Sequence, residues 1–319
     1  MNIVVAEGPL LDEILGLTFP IWHEGLNERA YAQWNAAQLR TPWGREHLQR
    51  FALVDDAGRL LATAKRYRHR MRLDGRIGWM AGIGAVFTPP LHRGKGYASQ
   101  LIERLLESAR SEGALLAGLF SEIDPAFYAR LGFTAVPIDE VTVGVKRKDG
   151  APAILVRAGD ERDLAALEAM NQVRSANARF TLNRDRPMIQ YALSKKRLLA
   201  GLGRQGLRQL EFVVAEEGAS AVAYAVLNVN ANGWTLEEAG DRDPSAARLG
   251  AMLQVLVARE PSVATPLIRA WWPPAFPVPP QVTLTDKSAA TDVFMVRPLA
   301  EVPMPEKTED VFYWHSDHF

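Results

Sequence analysis

The chain has 319 residues, 48% of them hydrophobic and 23% charged, enough apolar material for one large core or two moderate ones. Its 37 basic and 37 acidic side chains cancel, which argues against nucleic acid or an anionic membrane surface as a partner and confines any anion site to a local patch. With no cysteine, it excludes disulfides, thiolate metal sites and a cysteine nucleophile.

Taken in order, the opening stretch MNIVVAEGPLLDEILGLTFPIW carries Glu7, Asp12 and Glu13 and no basic leader, so it does not read as a signal peptide. No apolar run approaches membrane-spanning length, and a cytoplasmic protein is expected. A short strand is expected near Ile3 to Ala6, then helices around Leu10 to Leu17 and Glu28 to Leu39. Trp22, Trp34 and Trp43 fall in this region and read as core. A three-strand meander follows from Phe51 to Phe87, with turns at Asp56-Ala57-Gly58 and Asp74-Gly75. Apolar residues at Tyr97, Ala98, Leu101, Ile102, Leu105, Leu106 and Ala109 then recur at helical spacing, and Gly113 is the expected stop. A buried strand ALLAGLFS, a short helix PAFYARLG and strands near Phe133 to Val136 and Val141 to Val145 complete a mixed α/β (α+β) domain.

The second half repeats this grammar. FALVDDAGRLLATA from Phe51 aligns with FVVAEEGASAVAYA from Phe212, and the Asp74-Gly75 turn has a counterpart at Asn232-Gly233. An apolar-striped helix follows, roughly Pro244 to Ala258. Two copies at a spacing of about 160 residues suggest two domains of one kind. The expected division is residues 1–147, 148–305 and a tail over 306–319, with KRKDGAP (146–152) as the linker. WWPPAFPVPP (271–280) reads as a rigid proline-rich crossover.

The stretch TPPLHRGKGYASQL (88–101) places two glycines and two cations at a helix start. Unpaired N–H groups and the positive end of the helix dipole suit an anion there, most often phosphate, and glycine lets it approach the backbone. A Walker loop fails, because Lys95 is followed by glycine; a dinucleotide fingerprint fits poorly at Gly94, Gly96 and Ser99. Gly78, Gly82 and Gly84 crowd the preceding strand, which marks a bulge or the close approach of a ligand or another chain segment. In the second half the corresponding stretch GDRDPSAA (240–247) is acidic and lacks the glycine pair, so the anion site belongs to the first copy.

GAVFTPPLHRGKGYASQLIERLL resembles the acyl-CoA-binding signature of the GNAT superfamily of N-acyltransferases, Gln/Arg-x-x-Gly-x-Gly/Ala. It matches at Gly94 and Gly96 and departs at Leu91, where the pattern has Gln or Arg. FYARLGF (127–133) resembles the superfamily's later motif. The tandem arrangement, with an intact first copy and a degenerate second, is similar to acetyltransferases of the enhanced intracellular survival type. The resemblance implies tandem GNAT folds, each a mixed, mostly antiparallel sheet flanked by helices. It also implies acetyl-CoA as co-substrate and transfer of its acetyl group to a primary amine by direct attack through a tetrahedral intermediate.

On that reading, backbone groups of Ala85, Val86 and Phe87 line the pantetheine and thioester. N–H groups of Gly94, Lys95, Gly96, Tyr97 and Ala98 hold the pyrophosphate, with charge from Arg93 and Lys95. Tyr128 is the motif's candidate acid for the leaving thiolate. For the base, the family resemblance implies the terminal carboxylate, here that of Phe319 in the aromatic ending EDVFYWHSDHF. Glu122 and Glu24 are rivals, and the tail aromatics can equally serve as a clamp. A short His315, Asp317, His318 cluster is not read as a metal site. Open alternatives are a non-catalytic acyl-CoA sensor and a transferase for longer acyl groups. The acceptor amine and the oligomeric state stay open.

Overall fold

The computed structural model describes residues 1–146, 154–259 and 266–319. The expected linker lies outside these residues apart from Lys146. Two compact units result, one of residues 1–136, 291–306 and 319, the other of residues 137–290 and 307–318.

In the first unit the elements are β1 (Asn2–Val5), α1 (Gly8–Trp22), α2 (Glu28–Arg40), α3 (Pro42–His47), β2 (Leu48–Val54), β3 (Leu60–Leu73), β4 (Arg76–Phe87), α4 (Tyr97–Ser111), β5 (Leu116–Ser121), α5 (Pro125–Ala129) and β6 (Thr134–Val136). The strand order is β1, β2, β3, β4, β5, then the late strand Val293–Pro298, then β6. Neighbours are antiparallel except β4 and β5, which run parallel from Met80 against Leu116 to Gly82 against Gly118. The meander is the expected one, because the turns at Asp56-Ala57-Gly58 and Asp74-Gly75 reverse the chain with left-handed residues, φ 80° at Gly58 and 79° at Gly75.

Local signals explain the helices. The Asn27 side chain caps α2 by accepting from the Ala30 N–H, and Thr41 caps α3 by accepting from Gly44. In α4 the buried residues are Leu101, Ile102, Leu105, Leu106 and Ala109, the expected stripe. They pack on Ala81, Ile83, Ala117 and Leu119 of one sheet face, and each fully buried Leu or Ile contributes about 1.5–3 kcal/mol. On the other face α1 sets Ile14 against Ala52 and Val54.

The second unit contains β7 (Asp139–Val145), β8 (Leu155–Ala158), α6 (Leu164–Ser175), β9 (Phe180–Leu182), α7 (Arg186–Leu202), β10 (Arg208–Glu217), β11 (Ser220–Asn230), β12 (Gly233–Asp241), α8 (Ala247–Arg259), β13 (Ile268–Trp271) and β14 (Val282–Ala289). Its sheet runs β14, β7, β13, β12, β11, β10, β8, with β12 and β13 parallel. The repeated pattern thus gives the same antiparallel meander followed by helix and parallel strand.

The late strand is β15, and the tail adds β16 (Val311–Phe312), which pairs with β9. These strands divide the chain differently from the cuts at 147 and 305. β7, from the first half of the sequence, pairs with β13 and β14 in the second unit's sheet. β15, from the second half, sits between β5 and β6 in the first. Sheet membership follows which edge a strand completes, and proximity along the chain does not decide it.

Candidate active site

The site region is built on the C-terminal half of β4. Between Thr63 and Lys65 the register with β4 shifts, so that Ala85 and Val86 oppose Ala64 alone, and Ala85 takes φ 48°. This is a β-bulge, which bends the strand and leaves backbone groups outside the ladder. Past Gly82 and Gly118 the paired register of β4 and β5 ends.

From Phe87 the chain passes a short 3-10 turn, Pro90–His92, to Arg93 and the glycine pair. Gly94 and Gly96 adopt φ 75° and 80°, and a Cβ at either would meet nothing within 4 Å. They are required by the left-handed backbone, not by crowding. Gly96 is the residue before α4, and no side chain caps that end. The first intrahelical bond runs from the Gln100 N–H to the Gly96 carbonyl. The N–H groups of Tyr97, Ala98 and Ser99 therefore have no helical acceptor, and an anion is what such a terminus binds. Arg93 and Lys95 are exposed beside it. Leu91, at the position where the signature departs, is 86% exposed.

The second unit makes the contrast at its own helix start. There the Asp241 carboxylate accepts from the Leu249 N–H at 2.8 Å, and Asp243 accepts from the Ser245 N–H. A carboxylate of the chain itself takes the place that an anion would need.

Tyr128 lies on α5, whose start is capped by Asp124 accepting from the Phe127 N–H. Its ring packs edge-on against Phe127 and Phe133. Val86, Tyr97 and Tyr128 all pack against the core cluster beneath α4. Burial, with the nearby Asp124 adding to it, pushes the Tyr128 phenol up to about 12. At neutral pH it is fully protonated, the state a proton donor needs.

Phe319 lies against two of the three strand glycines, and at Gly84 the Tyr67 ring, 3.2 Å from an added Cβ, is the tighter neighbour. A Cβ at Gly82 would stand 2.7 Å from the Phe319 ring, and one at Gly84 would stand 3.4 Å from its carbonyl oxygen. The ring sits 5.2 Å from Tyr67, 4.7 Å from His69 and 5.4 Å from Phe120, centroid to centroid. The close approach foreseen on β4 is thus made by the chain's own last residue. Gly78 has a different cause, since a Cβ there would meet the Leu115 side chain at 2.4 Å.

Glu122 is exposed just beyond β5. Its partial burial, then the charges of Asp292 and Glu24, hold its carboxyl above the usual carboxylate range. Trp34 and Trp43 are buried, as expected of core residues, and Trp22 meets Phe87 edge-on. Sequence reasoning missed Arg50, Tyr67, His69 and Asp292. The period-two alternation of KRYRHRM put Lys65, Tyr67 and His69 on one face, a signal that was readable; the link to Phe319 was not.

This fold, with its bulged strand and bare helix start, defines a class, the acyl-CoA-dependent N-acyltransferases. Residues 22–136 match the acetyltransferase (GNAT) domain family. Among solved structures, a conserved Enterococcus faecalis V583 protein described as a probable N-acyltransferase is similar over 93% of this chain and 72% of its own, with TM-score 0.70 and 14% identity. A GCN5-related N-acetyltransferase from Kribbella flavida gives 0.67 and 18% over 93% and 70%. Eis1 from Mycobacterium abscessus gives 0.57 and 14% over 94% and 74%. At these identities the likeness is one of fold, and it spans both units. No curated protein sequence matches the chain. Among the described residues no helix is long and apolar enough to cross a membrane.

Proposed function

We propose that the first unit transfers an acetyl group from acetyl-CoA to a small-molecule primary amine. The observation that carries this reading is the uncapped start of α4, with Gly94 and Gly96 in the left-handed region directly after the β4 bulge. Backbone N–H groups from Gly94 to Ala98 would take the pyrophosphate, with Arg93 and Lys95 adding positive charge. Ala85, Val86 and Phe87 would lie along the pantetheine, and a free N–H at the bulge would face the thioester oxygen. Acetyl-CoA supplies an activated acyl group, so no covalent acyl-enzyme is needed.

The chain's own tasks are then to accept a proton from the amine and to donate one to the departing thiolate. Tyr128, held protonated by its burial, is assigned as the donor. The carboxylate of Phe319, beside Gly84, is assigned as the acceptor. Glu122 is assigned a supporting role, its negative charge drawing a cationic amine towards the site.

Calorimetric titration with acetyl-CoA tests the reading. Micromolar binding is expected, weakened at least tenfold in Gly96→Val, where a β-branched residue is forced to positive φ. Equal affinity in the variant would remove the helix start from the site, and no binding by the wild type would end the proposal.

A further inference from the structure

The last residues of the chain are held in two ways. Phe312 and Trp314 belong to the apolar core of the second unit, where Trp314 is fully buried against the rings of Trp272 and Phe276. That burial by itself anchors the tail. Yet each of the next four residues also meets a charged side chain. His315 Nδ1 lies 2.8 Å from a carboxylate oxygen of Glu237. The Ser316 hydroxyl donates to Glu238 and accepts from Arg184. Asp317 accepts from Arg184 at 2.9 Å, and the His318 carbonyl accepts from Lys195 at 3.3 Å.

A β-bulge supplies two of these groups. Val226 on β11 opposes Glu238 and Leu227 opposes Leu236, so Glu237 is the extra residue of β12. The bulge breaks the alternation of the strand, and both carboxylates are buried, each 1% exposed. Cations answer them: Lys196 of α7 lies 2.6 Å from Glu237, and the buried Arg184 pairs with Glu238. Burial opposes the charge on Glu237, but Lys196 and His315 hold its carboxyl well below the usual carboxylate range. An ionised carboxylate can only accept, so the proton of its bond to His315 sits on Nδ1.

Burying this many charges adds little stability over apolar packing, and the best-attested gain from such groups is register. Register matters because His318 is followed only by Phe319, whose carboxyl group lies at Gly84. A slip of one residue along the tail would displace that group by about 3.3 Å, more than the length of a hydrogen bond. We propose that Glu237 and Arg184 are positioning residues for the terminal carboxylate. Through His315, Ser316 and Asp317 they fix the register of the tail and so place the assigned proton acceptor. This rests on the acetyl-transfer reading and adds residues of the second unit to it.

Carboxypeptidase A, which removes an accessible aromatic C-terminal residue, reads the grip without any acceptor amine. His315→Ala deletes one bond and leaves Glu237 its Lys196 partner. Release of Phe319 should accelerate about 10- to 100-fold, the range for one hydrogen bond to a charged group, because cleavage follows the population of the freed tail. His315→Asn, whose side-chain N–H can replace that of Nδ1, should stay within about threefold of wild type. Turnover is read with cadaverine, histamine or lysine, whichever wild type acetylates fastest. In His315→Ala kcat should fall about tenfold or more with KM for acetyl-CoA unchanged, and His315→Asn should restore it. A histidine that merely stabilises the fold would not split kcat from KM in this way. Release at the wild-type rate in His315→Ala would overturn the grip, and faster release with unchanged kcat would overturn its part in catalysis. Failure of the acetyl-transfer reading is seen separately, as absence of acetyl-CoA binding in the calorimeter, and leaves the release rates to decide the grip.

Discussion

Replacing Gly82 by alanine tests the placement of Phe319. The new methyl would stand 2.7 Å and 3.0 Å from two atoms of the Phe319 ring and 3.1 Å from His69 Cδ2. Gly82 is not in the left-handed region, so the backbone accepts alanine and the conflict is purely one of packing. The nearer distances are shorter than real carbon contacts allow, and overpacking of this kind costs about 1–3 kcal/mol. The ring is the part free to yield, so Phe319 is expected to leave the strand and take its carboxylate away from Gly84. Turnover should fall at least tenfold, whereas acetyl-CoA affinity, set at the α4 start, should stay within about twofold. Phe319→Ala should also slow turnover, by loosening the same residue. The two changes act on one contact, so in a double-mutant cycle the alanine at position 82 should cost little once the ring is gone, giving a coupling of about 1 kcal/mol or more. Steady-state kinetics, chemical denaturation and calorimetry on the four proteins suffice. Additive effects, or a Gly82→Ala enzyme with unchanged turnover, would refute the placement of Phe319 at the reaction centre.

Three further outcomes follow. Tyr128→Phe should lower kcat with acetyl-CoA affinity retained. Because burial pushes the phenol up to about 12, the wild-type rate should show no loss from Tyr128 deprotonation below about pH 10. For Glu122 the folded carboxyl titrates above its unfolded value, so its stability contribution is present below the unfolded pKa and is lost as pH rises through the folded one. Glu122→Gln should therefore raise Tm at pH 7 and leave it nearly unchanged near pH 4; the opposite order in thermal melts would contradict this. In the second unit Arg184 is 2% exposed and bonds Ser316, Asp317 and Glu238. Arg184→Ala leaves two buried carboxylates without their cation and should cost about 3–5 kcal/mol in chemical denaturation, against near-normal stability if the network were solvated.

Much of the fold was legible because it rests on local signals. The glycine-bearing turns at Asp56-Ala57-Gly58 and Asp74-Gly75 determined the β2–β4 meander, and the stripe from Leu101 to Ala109 determined α4. The glycine pair marked the anion-competent helix start, since a helix start without a side-chain cap leaves its first N–H groups without an acceptor. The repeat from Phe51 to Phe212 announced two units of one kind. By contrast α6 and α7 had no counterpart among the sequence-based expectations, although Asp185 caps α7 by accepting from the Met188 N–H.

What only the tertiary structure decided involves residues far apart in sequence. Gly82 and Gly84 announced a close approach without naming the visitor; contact with Phe319 shows that it is the chain's own last residue. The composition of β2 showed an arginine among apolar neighbours, but its burial depends on contacts that form only once the strand is in the sheet. Likewise β7 and β15 each read as an ordinary strand, and nothing in a strand's own pattern says which sheet it joins. Turns, caps and helix faces are written within a few residues, where steric and hydrogen-bonding preferences act directly. Edge completion, burial of a charge and the seat of a terminal residue depend on contacts that exist only once the chain has folded.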